Sequence, residues 1–218
     1  MLPRPRRRVG RACGCLLAVV AIVAVLLSVG AIQAFATPDL GVAPGGSNDG
    51  ETQNAIAAHL GTSLIAQFLA GQHAVVSVSE HDLTVLIREH NPNPSRFQQP
   101  EARIRDNLVV VDARTPAGPF TVWAVARLAL SKTTDSSGVP RVSADFRAVQ
   151  VGSLGLPDLV AHALQDRIQQ AFNLQDLLGA DPNLRLARQA LECVQVSSTA
   201  VRIGFHRPDA PADPNGCG

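Results

Sequence analysis

The residues in this sequence best suited to hold a metal ion are three histidines, His73, His81 and His90, with Asp82 and Glu89 beside them. Two such ligands share one face of a helix when they are three or four residues apart. His81 and His90 are nine residues apart, so a helix does not bring them to one face. The spacing favours surface histidines and helix-end charges, and it predicts no metal site and no cofactor.

A nucleophilic serine is the next chemical candidate. The segment from Val151 to Gly155 contains Ser153 between two glycines and resembles the nucleophile elbow of hydrolases, but it lacks the first Gly of Gly-x-Ser-x-Gly. No parallel α/β pattern surrounds it, and the chain has no Cys-x-x-Cys pair, Walker loop or Rossmann fingerprint. We interpret Ser153 as a structural corner residue and predict no catalytic residues.

The N-terminal segment carries the most specific pattern in the chain. Residues 1–12 form a basic tail with five arginines, and no charged side chain occurs from Ala12 to Pro38. At ~1.5 Å per residue this apolar run can cross a ~30 Å hydrocarbon core. Because arginines mark the cytoplasmic side, we predict a transmembrane anchor over residues 13–36, with the rest of the chain extracytoplasmic and held at the cell membrane.

A secretory signal peptide is the alternative interpretation of this segment. Ala34-Phe35-Ala36 has the small-x-small form of a cleavage site, and cleavage after Ala36 would release a secreted protein. The apolar run is longer than the ~7–15 residues usual for a signal peptide, which favours an anchor. Both interpretations place the folded part outside the cytoplasm.

The cysteines fall into two pairs on opposite sides of the apolar run. Cys13 and Cys15 lie at its cytoplasmic edge, where acylation and simple packing are both open to them. Cys193 and Cys217 lie in a compartment where disulfides persist. An even number of cysteines there predicts a Cys193–Cys217 disulfide.

The charge of the folded part argues against nucleic acid as a partner. Five of the 19 basic residues precede the first acid, Asp39, which leaves 14 basic and 18 acidic residues in the remainder. Nucleic-acid binding depends on Lys and Arg that neutralise phosphates. The mild net negative charge of the folded part therefore excludes nucleic-acid-binding proteins.

The strongest structural signals lie between Phe120 and Phe172. Two strands with apolar residues at every second position flank a turn at residues 133–138, and the apolar phase flips near Ala148-Val149, which predicts a β-bulge. An amphipathic helix follows. The corner that leads into this helix is made by Gly152, Leu154, Gly155, Leu156 and Pro157.

Weaker signals complete the order of elements. They are a helix from Thr52 to Ala70, a capping box at Ser79–Asp82, a hairpin turning at Asp106-Asn107, and a last hairpin around Ser197–Thr199. This order predicts an α+β fold with an antiparallel sheet covered by amphipathic helices, preceded by one transmembrane helix. We expect a flexible linker over residues 37–51, one domain over 52–207 and a disordered tail over 208–218.

The strands are more apolar than one buried face requires. Val109 and Val111 belong to a run that is apolar on both sides, and Trp123 and Val125 lie on the side of the next strand that should be polar. One explanation is that the helix from Thr52 to Ala70 covers this side. The other is a face for a lipid or acyl chain, or for an envelope protein partner.

A family resemblance rests on two motifs outside the anchor. The sequence from Val76 to Ile87, which contains Ser-Glu-x-x-Leu-x-x-Leu, and the sequence Val149 to Pro157, which ends in Gly-x-Leu-Gly-Leu-Pro, resemble the YpmS-like membrane-anchored bacterial proteins. The resemblance covers about Val75 to Phe205, departs at Thr84 where an Asn is common, and implies no catalytic residues. The architecture is also similar to tubular lipid-binding domains that enclose an apolar groove.

The sequence therefore predicts a non-catalytic, single-pass protein of the cell envelope. Its outer domain is expected to bind an apolar ligand, such as a lipid or acyl chain, or a protein partner. An envelope enzyme that acts on lipid or wall is the alternative, for which the sequence supplies no catalytic set.

Overall fold

The chain folds into an α+β domain with antiparallel sheets, as the sequence predicts. A computed structural model describes residues 23–26, 28–40, 53–89, 91, 93–134, 136, 138–155, 189–207, 209–213, 216 and 217. The helices within these ranges are α1 (residues 23–26 and 28–35), α2 (Gln53–Ala70) and α3 (Glu80–Glu89). The strands are β1 (His73–Ser79), β2 (Gln98–Arg105), β3 (Leu108–Ala117), β4 (Phe120–Thr134), β5 (Pro140–Val151), β6 (Leu154–Gly155), β7 (Leu191–Val196) and β8 (Ala200–His206).

The strands form two sheets, whereas the sequence suggested one. Strands β2 to β6 follow one another in a five-stranded antiparallel meander, and β1, β8 and β7 form a separate three-stranded sheet in that order. Strand β1 pairs with β8 from the far end of the domain, from His73 opposite His206 to Ser79 opposite Ala200. This long-range pairing separates β1 from the meander and produces the second sheet.

The residues at the turn and at the bulge of the meander account for its backbone conformation. Asp106 and Asn107 connect β2 to β3 with φ of 54° and 59°, the left-handed backbone that a type I′ turn needs and that Asp and Asn tolerate. Between β4 and β5 the register shifts so that Arg127 faces Ala148 and Leu128 faces Phe146. The bulge therefore lies one residue before the predicted Ala148-Val149 position.

The core lies between the two sheets and under α2 and α3. Its buried centre consists of Val76, Val78, Ile104, Val109 and Val201, contributed by β1, β2, β3 and β8. Strand β7 packs against β4 and β5 and links the two sheets. Leu60 and Leu64 of α2 and Leu83 and Leu86 of α3 pack against this centre.

Helix α2 covers a different surface from the one expected. It packs against β1, where the Gln67 side chain accepts from the Val75 amide at 2.8 Å and donates to the Val75 carbonyl at 2.9 Å. These bonds satisfy the outward backbone groups of an edge strand. The helix thus belongs to the core and to the β1 edge rather than to the Trp123 side of β4.

Helix α3 begins with the predicted capping box. The Asp82 carboxylate accepts from the Ser79 amide at 2.8 Å, and the Ser79 hydroxyl accepts from the Asp82 amide at 3.2 Å. Both amides belong to the first turn, where helical partners are missing. The box fixes the point at which the chain passes from β1 into α3.

Helix α3 lies along the edge strand β2 and satisfies its outward backbone groups with side chains one turn apart. The Thr84 hydroxyl accepts from the Ala102 amide at 2.9 Å and donates to the Ala102 carbonyl at 3.3 Å. Glu80 accepts from the Ile104 amide at 2.7 Å, and Arg88 donates to the carbonyl of Pro100 at 3.0 Å. Four residues of helix rise ~6 Å and two residues of strand rise ~6.6 Å, so side chains four residues apart on α3 reach every second residue of β2.

Several predicted segments lie outside the described residues. They are the basic tail, the first part of the apolar run, most of the linker, the amphipathic helix that ends at Phe172, and Leu156 and Pro157 of the corner. Within the described ranges, no helix combines the length and apolar character needed to cross a membrane.

Candidate functional site

The last turn of α1 is joined to the domain at a two-residue turn between β5 and β6. The amide and hydroxyl of Ser153 both donate to the Gln33 carbonyl, at 2.9 Å and 3.0 Å. The same carbonyl accepts from the Ala36 amide at 3.2 Å, and carbonyls at the end of a helix carry partial negative charge that further donors stabilise. The side chain that the sequence suggested as a possible nucleophile is thus a hydrogen-bond donor to α1.

Gly152 makes this approach possible. Its φ is +60°, which favours glycine, and a Cβ there would overlap the main-chain oxygens of Gln33 and Ala34. Its amide donates to the Trp123 carbonyl at 2.7 Å, which ties the turn to β4. Gly155 has open space around it and no positive φ. Of these two glycines, Gly152 is therefore the one whose backbone conformation requires glycine.

The described part of the predicted corner, up to Gly155, forms a hairpin turn; Leu156, Pro157 and the predicted helix lie outside the described residues. Val151 pairs with Leu154, and Leu154 and Gly155 form the short strand β6. Positive φ at the first central residue of a two-residue hairpin loop, with Gly there, is the type II′ pattern.

Aromatic and cationic side chains lie around this junction. Phe35 of α1 contacts Phe120 edge to face, with ring centroids 5.2 Å apart. Arg114 stacks over the Trp123 ring at 5.1 Å, and the two residues face each other across β3 and β4. We refer to Arg114, Phe120, Trp123, Gly152 and Ser153 together as the α1 end of the five-stranded sheet.

The four residues predicted to share an apolar-ligand face do not share a face. Val109 and Val111 are aligned with Leu128 and Ala126, on the side that packs into the core. Trp123 and Val125 are aligned with Arg114 and Asp112, on the opposite side. Alternate residues of a strand point to opposite faces, so the two pairs are separated by the thickness of the sheet.

The Trp123 side of the sheet carries a ladder of charges instead of an open groove. Glu101 contacts Arg88 at 3.3 Å and Arg103 at 2.7 Å, and Arg103 lies 3.9 Å from Asp112. Asp112 is 0% exposed, and neither carboxylate oxygen has a hydrogen-bond partner. Burial raises the pKa of Asp112 to about 6; Arg103 lowers it in part and Glu101 raises it further.

A cleft of about 520 Å³ lies beside the start of this ladder, between the end of α3 and the start of β2. Its lining mixes charged, amide and apolar side chains: Arg88, Asn91, Pro94, Phe97, Gln99, Pro100 and Glu101. Gln99 has φ of 48°, and the β2–β3 register shifts between Gln98 and Glu101. The cleft is thus built on an irregular strand start, and Asp112 is not among its lining residues.

A second buried carboxylate, Glu192, holds the C-terminal segment. Glu192 is 2% exposed and lies where the β7–β8 register shifts between Leu191 and Cys193. Its oxygens lie 3.1 Å from His73 Nδ1, and one of them accepts from the Asp213 amide. Next to it, Cys193 and Cys217 form a disulfide with their Cα atoms 5.9 Å apart. The tail is therefore tied to β7, with Ala210 and Cys217 buried.

The three histidines considered as metal ligands are not brought together among the described residues. His73 faces Glu192, His81 lies in the first turn of α3, and His90 is outside the described ranges. No group of three or more His, Cys, Asp or Glu side chains that could hold a metal occurs in the described part of the chain. Of the two buried carboxylates, Glu192 holds the C-terminal segment through His73 and the Asp213 amide, whereas neither oxygen of Asp112 has a hydrogen-bond partner.

Sequence reasoning missed the two buried carboxylates and the junction with α1. Asp112 did leave a signal, because it interrupts the apolar run from Val109 to Ala113. Glu192 stands between Leu191 and Cys193, which is the same pattern. The contact between Gln33 and Ser153 joins residues 120 apart, and no local pattern records such a pairing.

The chain matches no protein-family model, no curated protein and no solved structure. The resemblance to YpmS-like proteins therefore remains a prediction from the sequence motifs. Function has to be argued from the geometry of this chain.

Proposed function

We propose that this chain is a single-pass protein of the cell envelope, anchored by residues 13–36, whose extracytoplasmic α+β domain is a non-catalytic binding module. The finer arrangement follows from this: a basic cytoplasmic tail, a membrane-spanning helix that contains α1, a linker over residues 37–51, and the domain. A secreted protein released by cleavage after Ala36 is the competing account.

One observation carries the proposal: the exposed large apolar side chains of the described residues are concentrated on α1. Six of the nine such side chains lie on α1, with Leu26 65% and Ile32 70% exposed: Val23, Val25, Leu26, Val29, Ile32 and Phe35. The other three are Ile65, Leu69 and Phe120. Exposed apolar surface of this extent marks a partner or a bilayer. The apolar run of the sequence, with arginines on one side only, favours the bilayer.

The domain is better suited to a protein partner than to an acyl chain. Half of the predicted apolar-ligand face, Val109 and Val111, packs into the core, and Val125 is 1% exposed. The cleft beside α3 is lined by Arg88, Asn91 and Glu101 as well as by apolar side chains. Clefts of mixed polarity suit peptide segments, which need hydrogen bonds as well as apolar contact.

Membrane fractionation with a matched pair of variants tests the anchor. Val25→Asp/Leu26→Asp places two charges in the proposed span, at a cost of about 3 kcal/mol each. The control, Ile65→Asp/Leu69→Asp, places the same charges on exposed apolar positions of α2, where Ile65 is 62% exposed. We expect the wild type and the α2 variant to stay in the membrane fraction at high salt with an intact N-terminus, and the α1 variant to leave it.

Two results would contradict the proposed anchor. A wild-type chain that starts at Thr37 and is found in the soluble fraction would establish cleavage and exclude the anchor. Equal retention of both variants would show that the exposed face of α1 does not hold the chain in the bilayer.

A further inference from the structure

The contacts between α1 and the domain fix which part of the domain lies nearest to the proposed bilayer. Ser153 binds the carbonyl of Gln33, and Phe120 contacts Phe35, so both domain residues touch the last turn of α1. The proposed span ends at Ala36, at the outer surface of the hydrocarbon core. The headgroup layer on each side is ~5–8 Å thick, and one turn of helix rises ~5.4 Å. Residues that touch this turn therefore lie within about one helical turn of the boundary between the hydrocarbon core and the headgroup layer.

The side chains at this position have the chemistry that a headgroup layer selects. Phe120 is 59% exposed. Arg114 is also exposed, and its guanidinium stacks on the Trp123 ring. Tryptophan is enriched at membrane interfaces, and arginine binds phosphate through its planar fork of donors. No acidic residue occurs between Arg114 and Thr134. The sheet therefore presents an arginine and two aromatic side chains at the end where α1 is attached.

We propose that the α1 end of the five-stranded sheet is a phospholipid-binding surface that lies in the outer headgroup layer, with Arg114 binding the phosphates of anionic lipids. This inference rests on the proposed anchor, because the anchor sets the depth. It adds a function to the domain itself: the domain is oriented by lipid contact, with the cleft beside α3 available to a partner.

Trp123 provides the test, because it is the sole tryptophan of the chain. Full-length protein is reconstituted in phosphatidylcholine vesicles, with or without phosphatidylglycerol, that contain a nitroxide on the headgroup or in the middle of the acyl chain. Relative to emission without nitroxide, we expect the headgroup label to quench Trp123 about twofold more than the mid-chain label, and more strongly in anionic vesicles.

Three variants identify the role of Arg114. Arg114→Ala should reduce the extra quenching in anionic vesicles to the level seen in neutral ones, and Arg114→Lys should retain most of it. Arg141→Ala removes a positive charge near the opposite end of β4, where Arg141 pairs with Thr133, and should change nothing. Normalising each variant to its own unquenched emission removes any direct effect of the arginine on the indole.

The outcomes separate this inference from the proposed function. Vesicle-bound protein whose Trp123 is not quenched by the headgroup label would overturn the lipid-binding surface and leave the anchor intact. Equal quenching of Arg114→Ala and wild type in anionic vesicles would overturn the role of Arg114. A wild-type chain that fails to float with vesicles would contradict the anchor and, with it, this inference.

Discussion

Helices α1 and α3 are attached to the domain in opposite ways. Helix α3 uses Glu80, Thr84 and Arg88 to bind the backbone of three alternate residues of β2. Its apolar face packs into the core. Helix α1 is held by its last turn, where Gln33 and Phe35 contact the domain, and its other large side chains are exposed. The α3 contacts satisfy outward backbone groups of an edge strand, whereas the Gln33 carbonyl at the α1 junction also accepts from the Ala36 amide at 3.2 Å.

This difference distinguishes a helix that stabilises the domain, α3, from a helix that attaches the domain to the proposed span, α1. A helix that buries its apolar face and protects a strand edge contributes to the free energy of folding of the domain. A helix held at one end contributes little to that free energy but fixes the direction in which the domain points. We therefore expect α3 variants to change stability, and variants at the α1 junction to change orientation.

Removal of the Thr84 hydroxyl should have the largest effect. Thr84→Val keeps the shape of the side chain but leaves the buried amide and carbonyl of Ala102 without partners, at about 1–3 kcal/mol for each group. We expect a loss of about 2–4 kcal/mol in urea unfolding, with membrane retention unchanged. Thr84→Ser keeps the hydroxyl and should lose less than half as much. Equal losses in both variants would mean that packing, and not the hydrogen bonds, secures α3.

The charge ladder should make the α3 side of the domain sensitive to pH. Asp112 has a pKa of about 6 in the folded state and 3.8 as its ordinary value. The folded protein therefore keeps a proton that the unfolded chain releases, and stability falls as pH rises from about 4 to about 6. Two pKa units correspond to up to about 3 kcal/mol.

Asp112→Asn isolates this effect. The variant should be more stable than the wild type at pH 7 by up to about 3 kcal/mol, and the difference should shrink as pH falls towards 4. Unfolding curves at pH 4, 5, 6 and 7 measure it. A difference that stays constant with pH would show that Asp112 is not the titrating group. The α1 junction is made by Ser153 and a backbone carbonyl of α1, so Asp112→Asn should leave it unchanged.

Substitution of Gly152 should release α1 at a modest cost to the domain. Gly152→Val places a side chain at a φ of +60°, at about 1–2 kcal/mol, and its Cβ overlaps the backbone of α1. We expect a lower midpoint of unfolding and broadened distances between spin labels on α1 and β4. Gly155→Val is the matched control, because nothing lies within 4 Å of its Cβ and its φ is not positive. The two variants should differ clearly.

Loss of the Ser153 hydroxyl should have the smallest effect. Ser153→Ala removes one exposed hydrogen bond to Gln33 and keeps the bond from the amide, so we expect about 0.5–1 kcal/mol. Chemical denaturation measures the loss. A variant that folds normally but loses an enzymatic activity would show instead that Ser153 is a nucleophile.

The sequence predicted local structure well because local rules determine it. The capping box at Ser79 and Asp82 and the turn at Asp106-Asn107 depend on neighbouring residues, and both occur. The bulge was predicted within one residue, since a phase flip must be absorbed where it happens.

The predictions that were wrong concern features that depend on contacts between residues far apart in the sequence. The second sheet requires β1 to pair with β8, and the position of α2 depends on which strand edge Gln67 reaches. The apolar-ligand face failed because an apolar residue does not reveal which face of a two-sided strand it occupies; only the register with β4 separates Val109 from Trp123. The α1 junction involves residues 120 apart, and it is also the basis of the proposed orientation.

Cysteine accessibility in cells tests the central claim most directly, because one cysteine pair lies at the cytoplasmic edge of the proposed span and the other lies in the domain beyond it. A membrane-impermeant maleimide is added to wall-stripped cells that express the full chain, before and after permeabilisation, with hydroxylamine included to free any acylated thiol. We predict no labelling of intact cells, since Cys193 and Cys217 are bridged, and labelling of Cys13 and Cys15 after permeabilisation. Labelling of Cys13 or Cys15 in intact cells, or their absence from the mature chain, would contradict the account.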